Sequence, residues 1–160
     1  MNEKSDLRWS LLRGGLLIVA ATPLAGGLWA LLFPRRFYEV FPWPGGGWVS
    51  TLGPYNEHLV RDYGALNLAM AVMLLAAVVY LERRLAKVAL ISWLVFEVPH
   101  FIFHLGQTHH FSAGSNLAQL GGLALLIVLP LVLLFLLPLG AVGHGAAHTS
   151  FNQTERTETR

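Results

Sequence analysis

The chain has no cysteine among its 160 residues. Disulfides, thiolate metal sites and thiol redox chemistry are thereby excluded, leaving histidine and carboxylate as the side chains a metal would meet. Charge is scarce too. Charged residues make up 12% of the chain, about half the roughly 25% of a soluble domain. A formal net charge of +2, with the basic residues scattered, excludes a nucleic-acid-binding surface. No internal repeat of the kind that builds an inverted-repeat transporter is visible.

What the chain has instead is apolar sequence, 54% of it, gathered into four long runs. The expected fold is all-α, an integral membrane four-helix bundle with spans near 11–33, 58–80, 85–105 and 117–139. Each run exceeds the roughly 20 residues needed to cross a hydrocarbon core of about 30 Å, so the lipid bilayer is the first partner. The transmembrane domain fills 1–140, and the polar, Ser/Thr-rich stretch 141–160 is expected to be a disordered tail. A cleaved signal peptide competes for the first run, because Lys4, Arg8 and Arg13 precede it. Its apolar stretch is longer than the 7–15 residues of a signal core, so a retained anchor is expected. Pro130 should kink the fourth helix without breaking it.

Basic residues set the expected orientation. Lys4, Arg8, Arg13, Arg83, Arg84, Lys87, Arg156 and Arg160 fall on one side, against Arg35, Arg36 and Arg61 on the other. The richer side is expected to be cytoplasmic, placing both termini inside and the protein in the inner (plasma) membrane as a multi-pass chain. The outward link from Pro34 to Asn56 holds four prolines, the run Gly45-Gly46-Gly47 and six aromatics. Its Pro and Gly argue against a further helix there. The aromatics suit either an interfacial anchor or a cap over the outer end.

Polar residues inside the spans are the candidates for function. At about 100° per residue, Glu97, His100 and His104 of the third helix fall within about 60° of one another, on one face. His58 and Asp62 share a face of the second helix, with Arg61 beside them. Asn67 lies about 140° round from Asp62, toward a different neighbour. The second and third helices run antiparallel across a short turn, so both polar sets reach similar outer depth and are expected to converge on one pocket. The first and fourth helices would then be apolar walls. An intramembrane acid is costly to insert, by about 2.5–3.5 kcal/mol at mid-span, and points to a functional site. The structural alternative pairs Glu97 with Arg61, or makes His58, Arg61 and Asp62 an interfacial network. His109 and His110 belong to the outer loop, and His144 and His148 fall on the far side of the membrane.

Three chemistries fit this set. One is a transition metal held by Glu97, His100 and His104 with His58 or Asp62, as zinc, copper(II), iron or manganese accept imidazole and carboxylate. A second, ranked lower, is haem between His58 and either His100 or His104. A third is proton or small-polar-ligand handling by the Glu-His-His chain with Arg61 and Asp62. The pairs Gly14-Gly15, Gly26-Gly27 and Gly121-Gly122 allow close helix contacts, within one chain, in a homo-oligomer or with a membrane-complex partner.

The segment Phe33-Pro34-Arg35-Arg36-Phe37-Tyr38, followed by Asn56-Glu57-His58-Leu59-Val60-Arg61-Asp62-Tyr63-Gly64-Ala65-Leu66-Asn67-Leu68, resembles small actinobacterial-type four-helix membrane proteins. It is distantly similar to the DoxX-like group, where an Arg-Asp-x-Gly-like turn also opens the second helix. That resemblance covers most of the first three helices. It implies a four-helix membrane fold and, through the membrane redox or quinone processes of some DoxX-like proteins, raises the redox reading slightly. The His-rich third helix, Phe96 to His104, departs from the common pattern. The expected function is a membrane protein with an outward-facing polar pocket, binding a metal or small polar ligand or handling protons. The alternatives are a non-catalytic membrane subunit whose polar cluster fixes packing or docks a partner, and a metal- or redox-dependent membrane enzyme.

Overall fold

A computed structural model describes residues 3–137, with side chains from Leu7 onward. The tail expected over 141–160, with His144 and His148, lies outside the described residues. The described chain is all-helical: α1 (Glu3–Leu32), α2 (Pro34–Val40), α3 (Glu57–Tyr80), α4 (Arg83–Gly106), a single 3-10 turn (Thr108–His110) and α5 (Ala113–Leu136). Four of these helices are long and apolar enough to cross a membrane, over Leu7–Leu32, Glu57–Tyr80, Arg83–Gly106 and Ala113–Leu136. At a rise of about 1.5 Å, 24 residues reach about 36 Å, more than the hydrocarbon core requires.

Helix α2 corrects the expectation that proline and glycine keep the link from Pro34 to Asn56 free of helix. Pro34 stands at the first turn of the helix, where its fixed φ is already helical and its missing N–H is not needed. Arg35 and Glu39 pair one turn apart at 2.6 Å, and Phe37 is buried between them in sequence. The glycine-rich stretch follows only after Val40. The other boundaries are set by caps. The Asn56 side chain accepts the Leu59 N–H at 3.1 Å, and the Ser112 hydroxyl accepts the Ser115 N–H at 3.2 Å. Ser112 starts α5 ahead of the apolar run. Leu81 closes α3 in the left-handed region, at φ 47°, and turns the chain directly into α4.

The long helices pack around the square α1–α3–α4–α5, α1 and α5 being neighbours as well. Helices α1 and α3 approach most closely at Gly27 and Gly64. A Cβ on Gly64 would stand 2.6 Å from the Leu31 nitrogen and 3.0 Å from the Gly27 carbonyl oxygen, so this is the close backbone contact that small residues permit. Near the α3–α4 turn, Leu12, Leu16, Val19, Leu74, Leu90 and Trp93 fill the interior. At the opposite end, which carries the long loop, Ala30, Phe37 and Val60 form a smaller core with Trp29 and Tyr63 around it. Much of the remaining apolar surface points outward: Phe135, Leu117 and Val95 are at least 70% exposed. Such an exterior is that of a chain whose solvent is lipid.

Proline in α5 has a partner in α4. Pro130 carries no N–H for the Leu126 carbonyl one turn earlier. The Trp93 indole of α4 donates to that carbonyl at 2.9 Å, tying α4 to α5 where the α5 ladder is interrupted.

Candidate functional site

Between the two cores lies a cavity of about 600 Å³, reached by α1, α3, α4, α5, α2 and the loop after it. Its walls are mainly apolar and aromatic. Phe37, Phe41, Trp48, Val49 and Leu52 line it from the α2-and-loop side. The Trp29, Phe37, Phe41 and Trp48 rings stack edge-on or tilted at 4.7–6.4 Å. Of the two readings of the aromatic loop, the cap is therefore the one the packing fits.

The polar part of the cavity comes mainly from α4. Helical spacing puts Glu97, His100 and His104 on one face, and all three line the cavity. Glu97 is 1% exposed. Its Oε2 lies 3.7 Å from His100 Nδ1, and His100 Nε2 lies 3.1 Å from His104 Nε2. The three groups thus form a file along two turns of helix, with Glu97 deepest and His104 nearest the loop end.

Other helices complete the site. From α3, Tyr63 and Asn67 line the cavity. Asn67 is buried and donates to the Tyr63 carbonyl at 2.9 Å. Its neighbour is therefore the Glu97 site, and the residue that faces elsewhere is Asp62. From α5 comes Gln119, 4% exposed and directed at the His104 side of the cavity. The expectation that the fourth helix serves only as an apolar wall is corrected here. Counting charges passes over a neutral amide, yet a lone Gln in an otherwise apolar span was the available signal. Glu97 Oε1, Gln119 Oε1, His100 Nδ1 and His104 Nδ1 are buried with no hydrogen-bond partner among the described residues. Buried polar groups are normally paired, and these four unpaired atoms belong to residues that line one cavity.

The second expected cluster stands apart. His58 Nδ1 lies 3.3 Å from Asp62 Oδ2, but these side chains are 87% and 60% exposed. Neither they nor Arg61 line the cavity. Arg61 is not the partner of Glu97. Its guanidinium meets Glu57 at 2.8 Å and donates to the Leu31 carbonyl at 2.5 Å, closing the C-terminal end of α1. The expected convergence of both polar sets on one pocket is therefore corrected. His58, Arg61 and Asp62 sit on a face of α3 turned away from the cavity, the first turns of that helix packing against α1 and α2 through Val60 and Gly64. His109 and His110 are exposed on the 3-10 turn and do not line the cavity.

Metal-ligand geometry gets no support from this arrangement. Among the described residues no three His, Asp or Glu side chains form a group that could hold a metal ion. Glu97 approaches the ring nitrogen of His100 opposite the one that faces His104, so the three donors aim at different points. With His58 outside the cavity, the haem pairing of His58 with His100 or His104 has no common space either.

Compared with known proteins, the chain matches no family model, no curated protein and no solved structure.

Proposed function

We propose that the chain is a membrane-embedded binding protein for a small molecule, with Glu97, His100 and His104 acting as a proton relay beside the ligand. One observation carries this reading: a carboxyl and two imidazoles stand in file on α4, with separations of 3.7 and 3.1 Å, along the wall of a mainly apolar cavity. Such intramembrane files of Glu and His are the usual means of moving protons where water is scarce.

The transfer balances within the file. A proton arriving at His104 Nδ1 forms an N–H bond there. The Nε2–H of His104 then breaks as His100 gains an Nε2–H. The Nδ1–H of His100 breaks in turn as Glu97 gains an O–H. One proton enters, the carboxylate is neutralised and both imidazoles end neutral. The 3.7 Å step is one that a bridging water or a small side-chain rotation closes. Eight of the eleven Lys and Arg residues lie on the α3–α4 turn side or in the terminal segments. That supports termini in the cytoplasm and a cavity toward the outer face of the inner membrane.

The test is infrared difference spectroscopy of the full chain in lipid nanodiscs during a pH jump. A carboxylic C=O band should rise as pH falls and be absent in Glu97→Gln. In His100→Phe, which retains the acid but cuts the file, the band should rise more slowly, on the order of a hundredfold. No titrating band, or one equally fast in His100→Phe, overturns the relay.

The packing role is favoured for one residue, Arg61, because its contacts are with Glu57 and the Leu31 carbonyl. Kinship with the DoxX-like group remains a proposal carried by Arg61-Asp62-Tyr63-Gly64. In that motif Arg61 closes α1 and Gly64 lets α1 approach.

A further inference from the structure

The cavity has a side that is not closed by protein. Between α1 and α5, Ile18, Thr22, Ala118, Gly122 and Leu125 both line the cavity and are exposed. None of the five is charged. They sit inside two membrane-spanning segments, so what faces them is hydrocarbon and not water. Nearer the α3–α4 turn, Leu133 packs against Gly15 and shuts the gap. At Gly122 the opposite holds: a Cβ there would meet nothing within 4 Å. The opening is a lateral window with an apolar frame and a closed sill.

The polar groups beyond the window define what it admits. Glu97 Oε1 and Gln119 Oε1, on residues 1% and 4% exposed, have no donor at hydrogen-bond distance among the described residues, Gln119 facing only the His104 imidazole. An amide oxygen only accepts, and so does a carboxylate. These two oxygens therefore suit a ligand head that donates. We infer that the cavity takes a single-chain amphiphile from the bilayer through the α1–α5 window, its hydroxyl or amine head donating to Glu97 and Gln119 and its chain lying along Ile18, Leu125 and Leu126. A cavity of about 600 Å³ is of the size that encloses a small ligand. An anionic head would face the Glu97 carboxylate and is disfavoured. This inference rests on the reading of the cavity as a ligand site and adds the ligand's class and its route.

The experiment uses the full chain in nanodiscs with three diazirine photoprobes of equal chain length, ending in an alcohol, an amine and a carboxylate. A fourth probe is a short, water-soluble diazirine alcohol. Labelled residues are mapped by mass spectrometry. The long alcohol and amine should label cavity residues about tenfold or more above the carboxylate, the size of one strong hydrogen bond. Gly122→Phe should cut that labelling about tenfold by filling the window. Gly121→Phe is the matched control: that position is exposed and open but does not line the cavity, so labelling should be unchanged. Ala118→Phe, on the same window, serves as the second obstructing variant should Gly122→Phe not assemble. Equal labelling by the carboxylate, or no loss in the window variants, overturns the inference. Labelling by the short alcohol alone overturns the membrane route but leaves the binding cavity standing. No cavity labelling by any probe overturns both.

Discussion

The Trp93 indole and the Leu126 carbonyl are joined by a hydrogen bond of 2.9 Å across the α4–α5 interface. Pro130, one turn later in α5, has no N–H to offer that carbonyl. Trp93→Phe keeps most of the buried ring but orphans the oxygen, and should cost about 1–3 kcal/mol of stability. In a Pro130→Ala background the carbonyl regains a backbone donor, and the same change should cost less. Unfolding of the four variants in a detergent–denaturant titration measures the coupling as a double-mutant cycle. Additivity would show that the bond does not compensate for the proline.

Gly64→Ala tests the α1–α3 seam. The added methyl would meet backbone atoms at 2.6 and 3.0 Å, which cannot yield as a flexible side chain does. A loss of about 1–3 kcal/mol is expected. Gly26→Ala is the contrast, since a Cβ there meets nothing within 4 Å, and it should be neutral or mildly stabilising. Thermal melts of both proteins in the same detergent make the comparison.

Gln119→Leu should separate stability from binding. It removes a buried acceptor without a donor, and an apolar replacement of similar shape should stabilise by about 1 kcal/mol. The same variant should lose capture of alcohol and amine probes. A variant that is both less stable and fully competent would mean that Gln119 is a packing residue. This opposition of stability and activity is common at functional sites.

His58→Ala and Asp62→Ala should change little. The pair is exposed on both sides, and exposed ion pairs contribute about 0–1 kcal/mol. Probe capture and the Glu97 infrared band should match wild type. A change in either would return the His58–Asp62 pair to the site.

Much of the chain was legible in its sequence. The four spans follow from apolar runs, and the shared face of Glu97, His100 and His104 follows from helical period alone. What the sequence did not disclose was neighbourhood. Asp62 and Asn67 are both polar residues of α3, and periodicity separates their directions without saying which one meets α4. That choice depends on Gly27 and Gly64 drawing α1 against α3, a contact between residues 37 positions apart (64 minus 27). Gln119 was hidden by a different cause, since an amide carries no charge to stand out in an apolar span. Helix α2 was hidden because Pro34 reads as a breaker in a list of loop residues and as a helix initiator only beside Arg35, Phe37 and Glu39.

The hydrogen bond from Arg61 to the Leu31 carbonyl also bears on biogenesis. During synthesis α1 leaves the ribosome before α3 exists, and its terminal carbonyl then has only interfacial water to satisfy it. The partner arrives 30 residues later, carrying its own counter-charge in Glu57. The segment from α1 through α3 is therefore the shortest stretch of the chain in which that carbonyl has its side-chain donor.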